Sequence, residues 1–118
     1  MNFSLEKKNN VKVLRLHEHR LDYHVAPSLK AELLILENEE PHNVLIDLSN
    51  IEFADSSGLG ALLLGIRQAR EKGGDFGILQ PQKKVLNLIR IAQLNEVVNV
   101  YEDEDVALAA LGRNKQSE

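Results

Sequence analysis

A chain of 118 residues that is 43% hydrophobic and 27% charged has the make-up of one globular domain, and its net charge of −4, with Lys and Arg scattered along the chain, argues against a nucleic-acid partner. The absence of cysteine excludes disulfides, thiolate metal sites and cysteine nucleophiles. No run approaches the ~20 apolar residues of a membrane span, and the opening MNFSLEKKNN lacks the apolar stretch of a secretory signal, so a cytoplasmic protein without membrane insertion is expected.

Taken in chain order, FSLEKK and VKVLRL read as two strands around Asn9 and Asn10, the second buried on at least one face. APSLKAELLILEN reads as a helix with Pro27 in its first turn and Ala26, Leu29, Leu33 and Leu36 along one stripe. VLIDL, residues 44–48, is a short branched apolar run of the kind covered on both faces in a parallel sheet. SSGLGALLLGIRQAREKGG is a helix stopped by Gly73 and Gly74. DFGIL is a strand, KKVLNLIRIAQL a helix with Val85, Leu88, Ile89 and Ala92 on one face, VVNVY a strand, and DEDVALAAL a last helix opened by acids. The order β-β-α-β-α-β-α-β-α implies an α/β fold with a mixed, mainly parallel five-stranded sheet and about four helices. Residues 1–112 are expected to form the domain and residues 113–118 a flexible tail.

The informative stretch is FADSSGLGALLLGI, where a strand hands over to a helix. Sites in open α/β sheets lie beyond the carboxyl ends of the strands, which puts Asp55, Ser56 and Ser57 at that edge. The free amides and the dipole of the following helix favour an anion there. Gly58 and Gly60 remove side chains that would crowd a phosphate. Two readings stand side by side: a helix cap, for which Asp and Ser are preferred residues, and a serine that receives a phosphate. On the helix itself, Leu59, Leu62, Leu63, Ile66 and Ala69 form the expected core face. Ala61, Leu64, Gly65 and Gln68 fall roughly opposite. That smooth surface either meets the backbone of another protein or is covered by another element of this chain.

Other chemistries have less behind them. ADSSG loosely resembles the turn that carries a hydrolase serine, but His17, His19, His24 and His42 all precede Ser56, against the chain order of that fold. His17 and His19 would share a face on a strand, with His24 nearby, yet no third ligand completes a metal site. No phosphate-binding loop motif is present, so no cofactor is expected. Residues 102–105, EDED, read as a solvated helix start.

VLIDLSNIEFADSSGLGALLLG resembles the signature of the STAS domain of bacterial anti-sigma-factor antagonists: an apolar strand, then D-L-S-x-apolar-x-apolar-x-D-S-[STA]-G-L-G, then a helix. RLDYHVAPSLKAEL resembles the family's earlier segment, in which Leu21 and Asp22 close the second strand, and LNLIRIAQLNEVVNVYEDEDVAL resembles its last third. The resemblance implies a non-enzymatic switch. The unphosphorylated protein would bind an anti-sigma factor that is also a serine kinase and so free a sigma factor. The kinase would phosphorylate Ser56, supported by Asp55, Ser57, Gly58 and Gly60, and a metal-dependent serine phosphatase would reset it. Partner contacts are expected at Asp22, Tyr23, His24, Ala61, Leu64, Gly65 and Gln68. Arg20 stands where many members have Gly, and Tyr23 and His24 stand where small polar residues are common. A STAS subunit of a lipid-transport or scaffold complex is the alternative, and a small serine hydrolase a remote one.

Overall fold

The computed structural model describes residues 1–113. Of the expected tail, all but Arg113 lies outside the described residues. Strands β1 (Phe3–Lys8) and β2 (Val11–Leu16) form an antiparallel hairpin. Its turn residues, Asn9 and Asn10, have φ of 51° and 65°. Two consecutive left-handed residues make the hairpin turn whose twist matches the strands, and Asn tolerates that conformation better than most side chains. There follow β3 (Arg20–Leu21), α1 (Ala26–Glu37), β4 (Val44–Asp47), β5 (Phe53–Ala54), α2 (Ser56–Glu71), β6 (Phe76–Leu79), α3 (Lys83–Ile91), a 3-10 turn, β7 (Asn99–Tyr101) and α4 (Glu104–Gly112).

The main sheet runs β1-β2-β4-β6-β7, with only β1 antiparallel. Its architecture is the expected one. Helices α1, α2 and α3 cover one face through Leu14, Leu16, Val44, Ile46, Phe76 and Ile78. Helix α4 covers the other face, against Val11, Val13, Leu45 and Leu79. All four residues of β4 and of β6 are buried, as strands sandwiched between helices must be. Helix α4 is also tied electrostatically: Arg15 of β2 donates to both oxygens of Glu104, at 2.7 and 3.0 Å, and to Glu6 and Asp47. The Arg15 guanidinium holds the Glu104 carboxyl down at about 2.

One feature departs from the expected order. β3 and β5 form a separate two-stranded parallel ladder, with Arg20 opposite Phe53 and Leu21 opposite Ala54. Leu21 and Asp22 therefore do not close the second strand, which ends at Leu16. The small ladder draws the segment before α1 against the segment before α2. The expected apolar face of α3 is also narrower, because Ala92 is exposed at the helix end and only Val85 and Ile89 are buried on the helix.

Candidate functional site

The site is built around Asp55. Its extended backbone (φ −119°, ψ −178°) makes it the cap of α2. One carboxylate oxygen accepts the Gly58 amide at 3.0 Å and the other accepts the Tyr23 amide at 3.1 Å. Its own amide donates to the Leu21 carbonyl at 3.2 Å. One side chain thus caps a helix and pins the loop that precedes α1. The cap reading holds for this acid, whose side chain accepts the Gly58 amide. Ser56 and Ser57 occupy the first two helical positions and are exposed. Amides at those positions have no intrahelical acceptor and point toward the end where an anion is favoured.

The two glycines differ in their surroundings. A Cβ on Gly58 would run into the Leu21 carbonyl oxygen and lie 2.7 Å from the Leu21 Cγ. Gly58 is therefore required by the close approach of β3. Gly60 has nothing within 4 Å of where its Cβ would be, so that position is open to solvent.

The loop beside Asp55 is shaped by Asp22, which is 6% exposed. Its carboxylate accepts the His24 amide at 3.0 Å and the Arg20 Nε at 3.2 Å. Burial alone would raise this carboxyl, but Arg20 and the His24 and Val25 amides hold it below the usual range. Asp22, expected to touch a partner, is instead an internal brace. It presents Tyr23, 65% exposed, and His24, whose rings stack with centres 4.4 Å apart. The Arg20 guanidinium lies 4.5 Å from the centre of the Phe53 ring. A surface pocket of about 310 Å³ opens beside the loop, lined by Glu18, His19, Arg20, Asp22, His24 and Val25.

Two further expected interface residues are not available. Ala61 is fully buried, and Gly65 packs under α1, where a Cβ would come 2.8 Å from Leu33 and 3.0 Å from Phe76. Gly58, Ala61 and Gly65 form the seam along which α1 and β3 approach α2. Leu64 and Gln68 flank that seam and are half-buried, and Leu59 and Leu63, expected in the core, are half-buried on the opposite flank. The exposed stripe of α2 consequently runs through Ser56, Ser57, Gly60 and Arg67. Sequence reasoning missed Leu21, whose carbonyl fixes both Asp55 and Gly58, because a backbone acceptor carries no residue signature.

The histidines do not converge. His17 pairs with Ser4 at 3.0 Å, His19 with Glu52 at 3.3 Å, and His42 with the Glu37 carbonyl at 2.9 Å. Among the described residues no group of three His, Asp or Glu side chains is placed to hold a metal. None of the described helices is long and apolar enough to cross a membrane.

The model of the STAS domain family matches residues 2–107. An anti-sigma F factor antagonist from Paenibacillus polymyxa is 26% identical over 114 residues, spanning 94% of this chain and 97% of that one. Among solved structures, a STAS domain protein from Planctomyces limnophilus superposes with a TM-score of 0.84 at 22% identity, over 92% of this chain and 97% of its own. The Bacillus cell fate determinant SpoIIAA in its phosphorylated form gives 0.70 at 22% identity, over 92% and 98%.

Proposed function

This chain belongs to the STAS domain family, and from that premise we propose that it is an anti-sigma-factor antagonist, a protein-binding switch controlled by phosphorylation of Ser56. Unphosphorylated, it binds an anti-sigma factor that is also a serine kinase, and so frees a sigma factor. A kinase-delivered phosphate on Ser56 ends the complex, and a serine phosphatase restores it. The chain acts by binding and carries no chemistry of its own. The similarity to the Paenibacillus anti-sigma F factor antagonist along almost the whole of both chains supports the partner class.

The observation that carries the reading is the placement of Ser56. It is exposed at the free amide end of a sixteen-residue helix, directly after an acid whose two oxygens are already occupied by the Gly58 and Tyr23 amides. A phosphoserine adds a charge of about −1.5 to −2. The helix end tolerates that charge in the free protein, whereas a close interface would have to desolvate it next to Asp55. Phosphorylation therefore penalises the complex more than the monomer, and only such a difference can shift a binding equilibrium. Tyr23 and His24 on the neighbouring loop, and Leu64 and Gln68 two and three turns further along α2, are the contact candidates.

The test has two readings. Incubation with the cognate anti-sigma kinase and ATP should add one phosphate, which fragment mass spectra place on Ser56. Ser56→Asp should fold normally and bind the anti-sigma factor at least tenfold more weakly, about 1.4 kcal/mol. Phosphate placed mainly on Ser57, Ser4, Ser28 or Ser49, or equal affinity of wild type and Ser56→Asp, would overturn the assignment. Recovery of a transporter ATPase in place of a kinase-like partner would favour the lipid-transport reading.

A further inference from the structure

The short β3–β5 ladder carries a cation, Arg20, that neither the cap nor the family signature accounts for. Arg20 stands opposite Phe53 in the ladder. Its side chain is 62% exposed, while that of its partner Asp22 is 9% exposed. Of the two, Arg20 is the one free to move, since a single hydrogen bond of 3.2 Å and the face of the Phe53 ring hold it. Ser56 follows Phe53 by three residues, so no more than about 10 Å of backbone separates them. The acid between them, Asp55, is spent on amides and offers Arg20 no competing oxygen with both lone positions free.

We propose that Arg20 is the intramolecular receptor for a phosphate on Ser56, and that the phosphate draws it away from Asp22. The proposal rests on Ser56 being the phosphoacceptor. A phosphate outcompetes a carboxylate for a guanidinium because it brings more charge and three acceptor oxygens in a geometry the planar fork matches. When Arg20 leaves, Asp22 keeps the His24 amide but loses its cation while remaining enclosed. That carboxylate shapes the loop carrying Tyr23 and His24, so the modification reaches the surface on the far side of the ladder. Arg20 is in this sense a positioning residue: it converts a charge on α2 into a rearranged loop before α1.

Phosphoserine installed at position 56 during translation allows a test that needs neither kinase nor partner. In a ³¹P titration, contact with Arg20 should lower the second ionisation of the phosphate below its ordinary value of about 6. Arg20→Gln should return it upward by at least half a unit, roughly a threefold change in proton affinity. Arg20→Lys should recover part of the shift, because it keeps the charge and loses the fork. Removing cations elsewhere on the surface, by Lys84→Gln or Arg90→Gln, should leave the titration unmoved. Phosphorylation should also displace the Tyr23 and His24 amide resonances in the Arg20 protein and leave them in place in Arg20→Gln. Identical titrations for Arg20 and Arg20→Gln, or a shift that follows Lys84→Gln or Arg90→Gln, would overturn the proposal. A failure to capture any anti-sigma partner would instead sink the assigned function and leave this titration intact.

Discussion

The two ends of the sheet handle polar groups in opposite ways. At the carboxyl end, Asp55 is matched oxygen by oxygen with the Gly58 and Tyr23 amides, and the Ser56 and Ser57 side chains face solvent. At the amino end, Glu37 is fully buried where α1 runs out, and neither of its carboxyl oxygens has a hydrogen-bond partner among the described residues. Lys12 is buried beside it but donates to the carbonyls of Leu36 and Glu39. Burial drives the Glu37 carboxyl up to about 8, against the pull of Lys12, and burial lowers the Lys12 ammonium. A strongly perturbed carboxyl is often a pointer to function. In this molecule it stands at the pole away from the candidate site and records enclosure alone. The site is marked by its satisfied hydrogen bonds and its exposure.

The largest effect that would break this contrast lies at Glu37. Below pH about 4.5 the carboxyl is protonated in both folded and unfolded chains. As pH rises from there, the unfolded chain ionises while the folded one stays protonated, so stability falls until the folded carboxyl ionises near 8. At about 1.4 kcal/mol for each unit, the loss is of order 3–5 kcal/mol. Glu37→Leu should abolish that slope in denaturant titrations run from pH 4.5 to 8.5. Parallel profiles for the two proteins would mean that Glu37 finds a partner in solution. The next effect belongs to the carboxyl end. Gly58→Ala pushes a methyl into the Leu21 backbone and should cost about 3 kcal/mol at every pH, read as a shifted urea midpoint. An unchanged midpoint would mean that β3 is not held against α2. The smallest effect has the opposite sign. Gly60→Ala fills open space on an exposed helix and should stabilise by about 0.5–1 kcal/mol. A loss there would show that the position needs glycine after all.

Hydrophobic periodicity was enough to read the hairpin, the four helices and the buried central strands, because each is long enough to repeat a pattern. The β3–β5 ladder was illegible: two residues per strand hold no period, and Arg20 and Phe53 look like loop residues until they are paired. The outer face of α2 stood open between a partner and another element of this chain, and for Ala61 and Gly65 the structure decides for the second. Leu59 and Leu63 pull the apparent core toward themselves, but Gly58, Ala61 and Gly65 are small because α1 and Leu21 press against them. Small residues announce a close neighbour without saying whether it belongs to the same chain. Asp55 as a cap followed from residue preference alone, whereas Ser56 as phosphoacceptor came from the family signature.

The small ladder also has a consequence in time. Its two residue pairs join segments that lie on either side of α1 and β4, so the chain between them must already be in place before the pairing gains anything, and few hydrogen bonds then hold it. Such a closure is expected to form late in folding and to open before β4, which is enclosed on both faces and should open only with the whole domain. The serine segment is thus anchored to a permanent strand at one end and to an intermittent one at the other. Amide hydrogens donated across the ladder, such as that of Asp55 to Leu21, should exchange on a faster clock than the sheet beside them.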